Sequence, residues 1–174
     1  MRIAISGKSG CGNTTVSTLV AKELHYPMIN FTFRTLADER GIDFWQLVAL
    51  AEEDDSIDLE IDRRQVAMAL EQESCVLASR LAIWMLKEAD LKVFLDATID
   101  ERARRIHTRE GGSLIDKIEQ TTERDANDTA RYKRLYNIDN SKPDVADLII
   151  DTTTKSAQEV AHIIVAEVRR RLEA

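Results

Sequence analysis

The chain has 174 residues, 44% of them apolar and 32% charged, with a formal net charge of −7. That length predicts one domain with a sizeable core, and the acidic balance argues against a general nucleic-acid binder. With no 18-residue apolar run, no basic apolar leader and two cysteines, Cys11 and Cys75, the sequence predicts no membrane span, secretory signal or disulfide framework, and a reducing cytoplasm is the expected setting.

The first apolar run, Arg2–Ser6, predicts a strand that leads straight into Gly7-Lys8-Ser9-Gly10-Cys11-Gly12-Asn13-Thr14-Thr15. The phosphate-loop pattern G-x-x-x-x-G-K-[ST] is met at Gly7, Gly12 and Thr14, with Asn13 where the lysine belongs. Such a loop works through backbone N–H groups turned inward as a nest, helped by the positive end of the following helix. Neither contribution needs the lysine, and Thr14 is placed to offer its hydroxyl to Mg²⁺. Asn13 removes a point charge from the β- and γ-phosphates. Lys8, at the second loop position as in the deviant loops of partition-type ATPases, either replaces that charge or is simply solvated. Cys11 has two readings as well: a reactive thiol of lowered pKa in the phosphate nest, or a small residue filling a small site.

Helical spacing over Thr14–Leu24 puts Val16, Leu19, Val20 and Leu24 on one face. Strand-like runs follow at Tyr26–Asn30, Ser74–Ser79, Leu91–Asp96 and Asp147–Asp151, the middle ones apolar on both faces as in a buried parallel sheet. Helical patterns lie at Asp43–Glu53, Asp58–Glu73, Ile99–Arg109, Leu114–Tyr136 and Ser156–Leu172. Trp45 and Trp84 fall in apolar helical patterns and are expected in the core, and the acidic run 52–62 reads as a solvated turn and helix start. His25, His107 and His162 have no metal-ligand spacing. The alternation predicts an α/β three-layer sandwich around a five-stranded parallel sheet.

Two insertions interrupt that core. The core is expected at 1–30, 74–98 and 140–174, with a helical flap at 31–73 and an arginine-rich lid at 99–139. Seven arginines, Arg102, Arg104, Arg105, Arg109, Arg124, Arg131 and Arg134, fall within 102–134. A local arginine group on an acidic chain suits a small polyanion, not a nucleic-acid polymer or a membrane. A sheet core with one flap and one lid is the outline of a nucleoside monophosphate kinase.

Particular motifs sharpen that outline. Phe33-Arg34-x-Leu36-Ala37-x-Glu39-Arg40-Gly41 and Asp58-x-x-Ile61-Asp62-x-Arg64-Gln65 resemble the monophosphate-binding flap of archaeal-type cytidylate kinases. Ser79-Arg80-Leu81-x-x-Trp84-Met85, Phe94-Leu95-Asp96-Ala97 and Arg102-x-x-Arg105 resemble its later segments. Glu123-Arg124-Asp125-x-x-Asp128-x-x-Arg131-Tyr132-x-x-x-Tyr136-Asn137-Ile138-Asp139 is the most specific match. A small polar residue in place of the loop lysine is also a feature of that group. The resemblance implies an ATP- and Mg²⁺-dependent kinase, a monomer, that makes CDP or dCDP from CMP or dCMP. It implies that Arg34 and Arg131 clamp the acceptor phosphate, Arg80 faces the pyrimidine edge, and Arg124 and Asp128 hold the ribose. Planar guanidinium forks suit phosphate and base edges; the plainer reading of Arg124, Asp128 and Arg131 is a set of surface helix pairs. Arg102, Arg105 and Arg109 would close over the transferring group and exclude water, or else form a solvated helix face.

The chain departs from the family pattern at two places. Phe31 stands where an acidic residue is usual and Asn30 where the neighbouring residue is a glycine, and Ala78-Ser79 replaces Glu-Gly before Arg80. Asp96 is a weak substitute for the missing glutamate and reads better as a strand-end or capping residue. A related kinase with another acceptor, or a catalytically weak nucleotide-binding module, are the alternatives left open.

Overall fold

Short apolar segments with no room for amphipathic alternation form the sheet, and the longer helical segments cover it on both faces. A computed structural model describes residues 1–173, the side chain of Glu52 excepted. The order along the chain is β1 (Arg2–Gly7), α1 (Asn13–Leu24), β2 (Met28–Ile29), α2 (Phe33–Arg40), α3 (Phe44–Glu53), α4 (Ser56–Leu70), β3 (Cys75–Ala78), α5 (Ala82–Met85), β4 (Leu91–Asp96), α6 (Ile99–Glu110), α7 (Leu114–Tyr136), β5 (Leu148–Asp151) and α8 (Ala157–Leu172). The sheet runs β2-β3-β1-β4-β5 and every pairing is parallel. β1 sits between β3 and β4, with Ile5 opposite Ala78 on one side and Val93 on the other. The chain therefore reverses its direction of winding beside β1, and the crevice past the strand C-termini opens there.

Each face of the sheet has its own apolar layer. Ile3, Ile5, Val76, Val93 and Leu95 pack under α1 and α8 through Val16, Val20, Val160, Ile164 and Val168. Ala4, Leu77 and Phe94 face the other way, against Ala69 of α4 and against Ile83 and Leu86 in and after α5. A third cluster, Phe31, Leu36, Leu47, Ile57 and Ile61, lies wholly within the insertion that follows β2. Among the described residues no helix is long and apolar enough to cross a membrane.

The structure departs from the sequence reading in several places. β2 pairs over Met28 and Ile29 only, because it is an edge strand entered through Pro27, which offers a carbonyl to Val76 at 2.9 Å but has no N–H to give. The helix α2 was legible only as part of a helical insertion; Thr32 and Thr35 cap it reciprocally and Gly41 ends it. The four-residue α5 is too short for periodicity to reveal. Trp45 is not core: it is 72% exposed, its ring edge-on to Phe44 at 5.0 Å. The acidic run is not simply solvated, since Asp58 is buried.

Candidate active site

β1 ends at Gly7, and the loop that follows is fixed from below by α6. A Cβ on Gly10 would stand 2.7 Å from the Arg102 carbonyl oxygen, and its φ of +85° lies in the left-handed region, so glycine is required there. Gly12, also left-handed, is the N-cap of α1 and gives no side-chain cap, so the first-turn N–H groups of α1 are left for another acceptor. Gly7 through Val16 all line a cleft of about 1480 Å³. The Thr14 side chain is exposed there, and its hydroxyl has no hydrogen-bond partner among the described residues.

Asn13 does a different job from the lysine it displaces. Its amide donates to the Ser79 carbonyl at 3.3 Å and accepts from the Ser17 hydroxyl at 3.2 Å, tying α1 to the end of β3. Lys8 lines the cleft, with Nζ 3.7 Å from the Asp125 carboxylate. The reactive reading of Cys11 is corrected. The residue is 1% exposed, packed with Val16 and Leu95 in the sheet core, and burial pushes its thiol up to about 11. The helix end acts on its backbone, while the sulfur points into hydrocarbon.

The expectation for Arg102 is also corrected. Its side chain is buried and lies outside the cleft lining. It donates to the carbonyls of Ala97 at 3.3 Å and Ser9 at 3.1 Å, and its fork meets Asp125 at 3.1 and 2.6 Å. Arg102 is therefore a strut beneath the loop. Arg105 lines the cleft and also braces the loop, donating to Gly10 O at 3.3 Å, Thr152 Oγ1 at 3.1 Å and Thr152 O at 2.6 Å. Arg109 lines the rim, exposed beside Glu110. Arg104, counted in the arginine group from sequence but given no role of its own, lines the cleft too, and it and Arg105 pair with Glu101. The Arg104 bond, with Arg105 behind it, holds the Glu101 carboxyl down at about 2.

The far half of the cleft gathers the other arginines. Arg34, at the start of α2, lies exposed over the Phe44 ring at 4.6 Å. Arg80 pairs with Asp128 of α7. Arg131 pairs with Asp128 at 3.1 Å and with Asp58 of α4 at 3.6 Å. Arg124, exposed at the rim, lines the cleft with no ion pair among the described residues, and partial desolvation, with the Arg80 charge added, lowers its pKa.

A seam between α4 and α7 was not legible as such in the sequence. Asp55 at the N-cap of α4, with Asp58 and Asp62 on the helix, recur at helical spacing and meet Arg134, Arg131 and Tyr136 of α7. Among the described residues, buried Asp58 Oδ2 and Arg131 Nε have no hydrogen-bond partner. Burial raises the pKa of Asp58, opposed by Arg131, and that of Asp62, opposed by the Tyr136 hydrogen bond. The Tyr136 hydroxyl is itself pushed far up by burial and by Asp62. The spacing 58–62 inside the quoted flap motif was the available signal. Beside this seam, Phe31 is buried, its carbonyl accepting from Gln65 at 2.6 Å and its ring 4.2 Å from the Arg64 guanidinium. Asp96 accepts from the Ala97 N–H at 2.9 Å and lies outside the cleft lining.

The cleft thus has a phosphate loop at one end and a ring of arginines at the other, which fits two phosphorylated ligands meeting in the middle. Comparison with known proteins agrees. The sequence model of the cytidylate kinase-like family matches residues 2–154. The chain is 44% identical over 175 residues to cytidylate kinase 2 of Borrelia garinii subsp. bavariensis, covering 98% of each. It is 39% identical to the cytidylate kinase of Methanocorpusculum labreanum, covering 99% of each. Among solved structures, the shikimate kinase of Bacteroides thetaiotaomicron superposes with a TM-score of 0.63 at 16% identity, over 100% of this chain and 99% of the other.

Proposed function

The chain belongs to the cytidylate kinase-like family, and from that premise we propose that it transfers the terminal phosphoryl group of ATP to CMP or dCMP, giving ADP and the cytidine diphosphate. The observation that carries the proposal is the single cleft shared by the Gly7–Thr15 loop and by Arg34, Arg80, Arg124 and Arg131. Its two ends match a polyphosphate donor and a monophosphate acceptor.

In this reading an acceptor phosphate oxygen attacks the γ-phosphorus, and the bond to the β,γ-bridging oxygen breaks. Such a step is mostly alignment and charge neutralisation. Backbone N–H groups of the loop cradle the donor phosphates, and Lys8 supplies the cation that Asn13 does not. Arg34 and Arg131 hold the acceptor phosphate; Arg80, Arg124 and Asp128 hold its nucleoside. Arg105 and Arg109 border the transfer point and help keep water out. The open Thr14 hydroxyl fits a Mg²⁺ ion that takes one protein oxygen and otherwise phosphates and water; bound there, it would neutralise charge on the donor phosphates. A reducing cytoplasm remains the proposed setting, supported by two free, buried cysteines.

A coupled assay with ATP and a panel of monophosphates tests the proposal. CMP and dCMP should turn over faster than UMP, AMP or GMP. No turnover with any of them would overturn the kinase reading. Turnover with another base foremost would shift it to the altered-acceptor reading, which buried, apolar Phe31 favours.

A further inference from the structure

Asp125 lies outside the cleft lining, on the helix whose Arg124, Asp128 and Arg131 line the acceptor half, and it reaches Lys8 of the phosphate loop. It sits on α7 one residue after Arg124 and three before Asp128. Its two oxygens take the Arg102 fork at 3.1 and 2.6 Å, and one of them lies 3.7 Å from Lys8 Nζ. Arg102 in turn donates to Ser9 O of the loop at 3.1 Å. One carboxylate thus faces two cations. Arg102 neutralises Asp125 in a bidentate, nearly dry pair, so the Lys8 charge is aimed without being cancelled. The cluster presents one net positive charge to the cleft.

We propose that Asp125 is a positioning residue that makes the phosphate loop and the acceptor pocket bind cooperatively. This rests on the kinase reading above. In the empty cleft Asp125 holds the Lys8 ammonium toward α7. When a polyphosphate draws Lys8 toward itself, Asp125 keeps Arg102 and so stays registered beneath Ser9. The helix α7 is continuous from Leu114 to Tyr136, so the order imposed at Asp125 reaches Asp128 and Arg131 one and two turns along. By linkage, acceptor binding must order the loop to the same degree.

The test is titration calorimetry of CMP with and without saturating β,γ-methylene-ATP, on the wild type and on Asp125→Asn. The wild type should bind CMP at least about fivefold more tightly with the analogue present, the low end of typical coupling. In Asp125→Asn that ratio should fall to about one, while CMP affinity without the analogue changes less than threefold. A merely structural role would lower the melting temperature and leave the ratio alone. Should Asp125→Asn fail to fold, Asp125→Glu keeps the charge but displaces it, and the ratio should drop below half its wild-type value. A wild-type ratio near one, or an unchanged ratio in the folded variant, overturns the inference. Absence of CMP turnover by the wild type is a separate result and defeats the kinase reading instead.

Discussion

The Tyr136 hydroxyl donates to Asp62 Oδ2 at 2.5 Å, joining the last residue of α7 to the middle of α4. The bond gives a donor to a half-buried carboxylate that burial and the neighbouring Asp58 otherwise disfavour. Tyr136→Phe should therefore cost about 1 kcal/mol, the low end of the penalty for an acceptor left without its donor because Asp62 is only half-buried, read as a shift in the urea midpoint. A midpoint unchanged within error would mean that water replaces the hydroxyl.

The same carboxylate sets a pH dependence. Burial raises the Asp62 pKa in the folded state, opposed by the Tyr136 bond. The folded chain therefore holds this proton more tightly than the unfolded chain does, whose value is about 3.9. Stability from this group is present below that value and is lost as pH rises through the folded pKa. Asp62→Asn keeps an acceptor for Tyr136 and removes the charge. It should melt higher than the wild type at pH 7, with the gain vanishing toward pH 3.

Lys8→Ala should lower kcat about ten- to a thousandfold, roughly 1.4–4 kcal/mol of transition-state stabilisation. An unchanged kcat at saturating ATP would return Lys8 to solvent. Asn13→Lys should not improve on the wild type, because it removes the bridge from α1 to the Ser79 carbonyl.

Arg34→Ala and Arg131→Ala should each weaken acceptor binding about ten- to a hundredfold and leave ATP binding little changed. They should differ in stability. Arg34 is exposed over Phe44, so its loss should leave the melting temperature alone. Arg131→Ala strips buried Asp58 of its cation and should lower it. Calorimetry with CMP and with ATP, beside thermal melts, separates the two effects.

Cys11 should resist alkylation. With the thiol buried and its pKa near 11, iodoacetamide should label it only as fast as the protein opens. Bound ATP should slow labelling no more than it slows global unfolding. Rapid labelling blocked by ATP would put the sulfur in the phosphate nest after all.

The strands and long helices were legible because their apolar residues recur at strand or helix periods, and the loop because its glycines obey backbone sterics. Trp45 was misread because an apolar helical stripe looks alike whether it faces a core or an open cleft. Arg102 was misread because its neighbour Arg105 does reach the cleft, and only the fold shows that Ser9 and Asp125 come to meet Arg102. Asp55, Asp58 and Asp62 passed for a solvated run because their partners lie more than seventy residues downstream on α7. Pairing across such distances leaves no local mark.

The helix α4 is anchored at both ends. Ile57 and Ile61 belong to the apolar cluster of the insertion, whereas Ala69, with Val66 beside it, belongs to the sheet. A rigid rod rooted in the sheet cannot swing with the rest of the insertion unless Ala69 leaves the core. The insertion's apolar cluster ties the first turns of α4 to α2 and α3 through Ile57 and Ile61, and Arg40 and Arg64 pair with Glu60 and Glu39 across α2 and α4, so the two ends of this one helix answer to different cores. Amide exchange should show this division, with α2 and α3 opening at lower free energy than the last turns of α4.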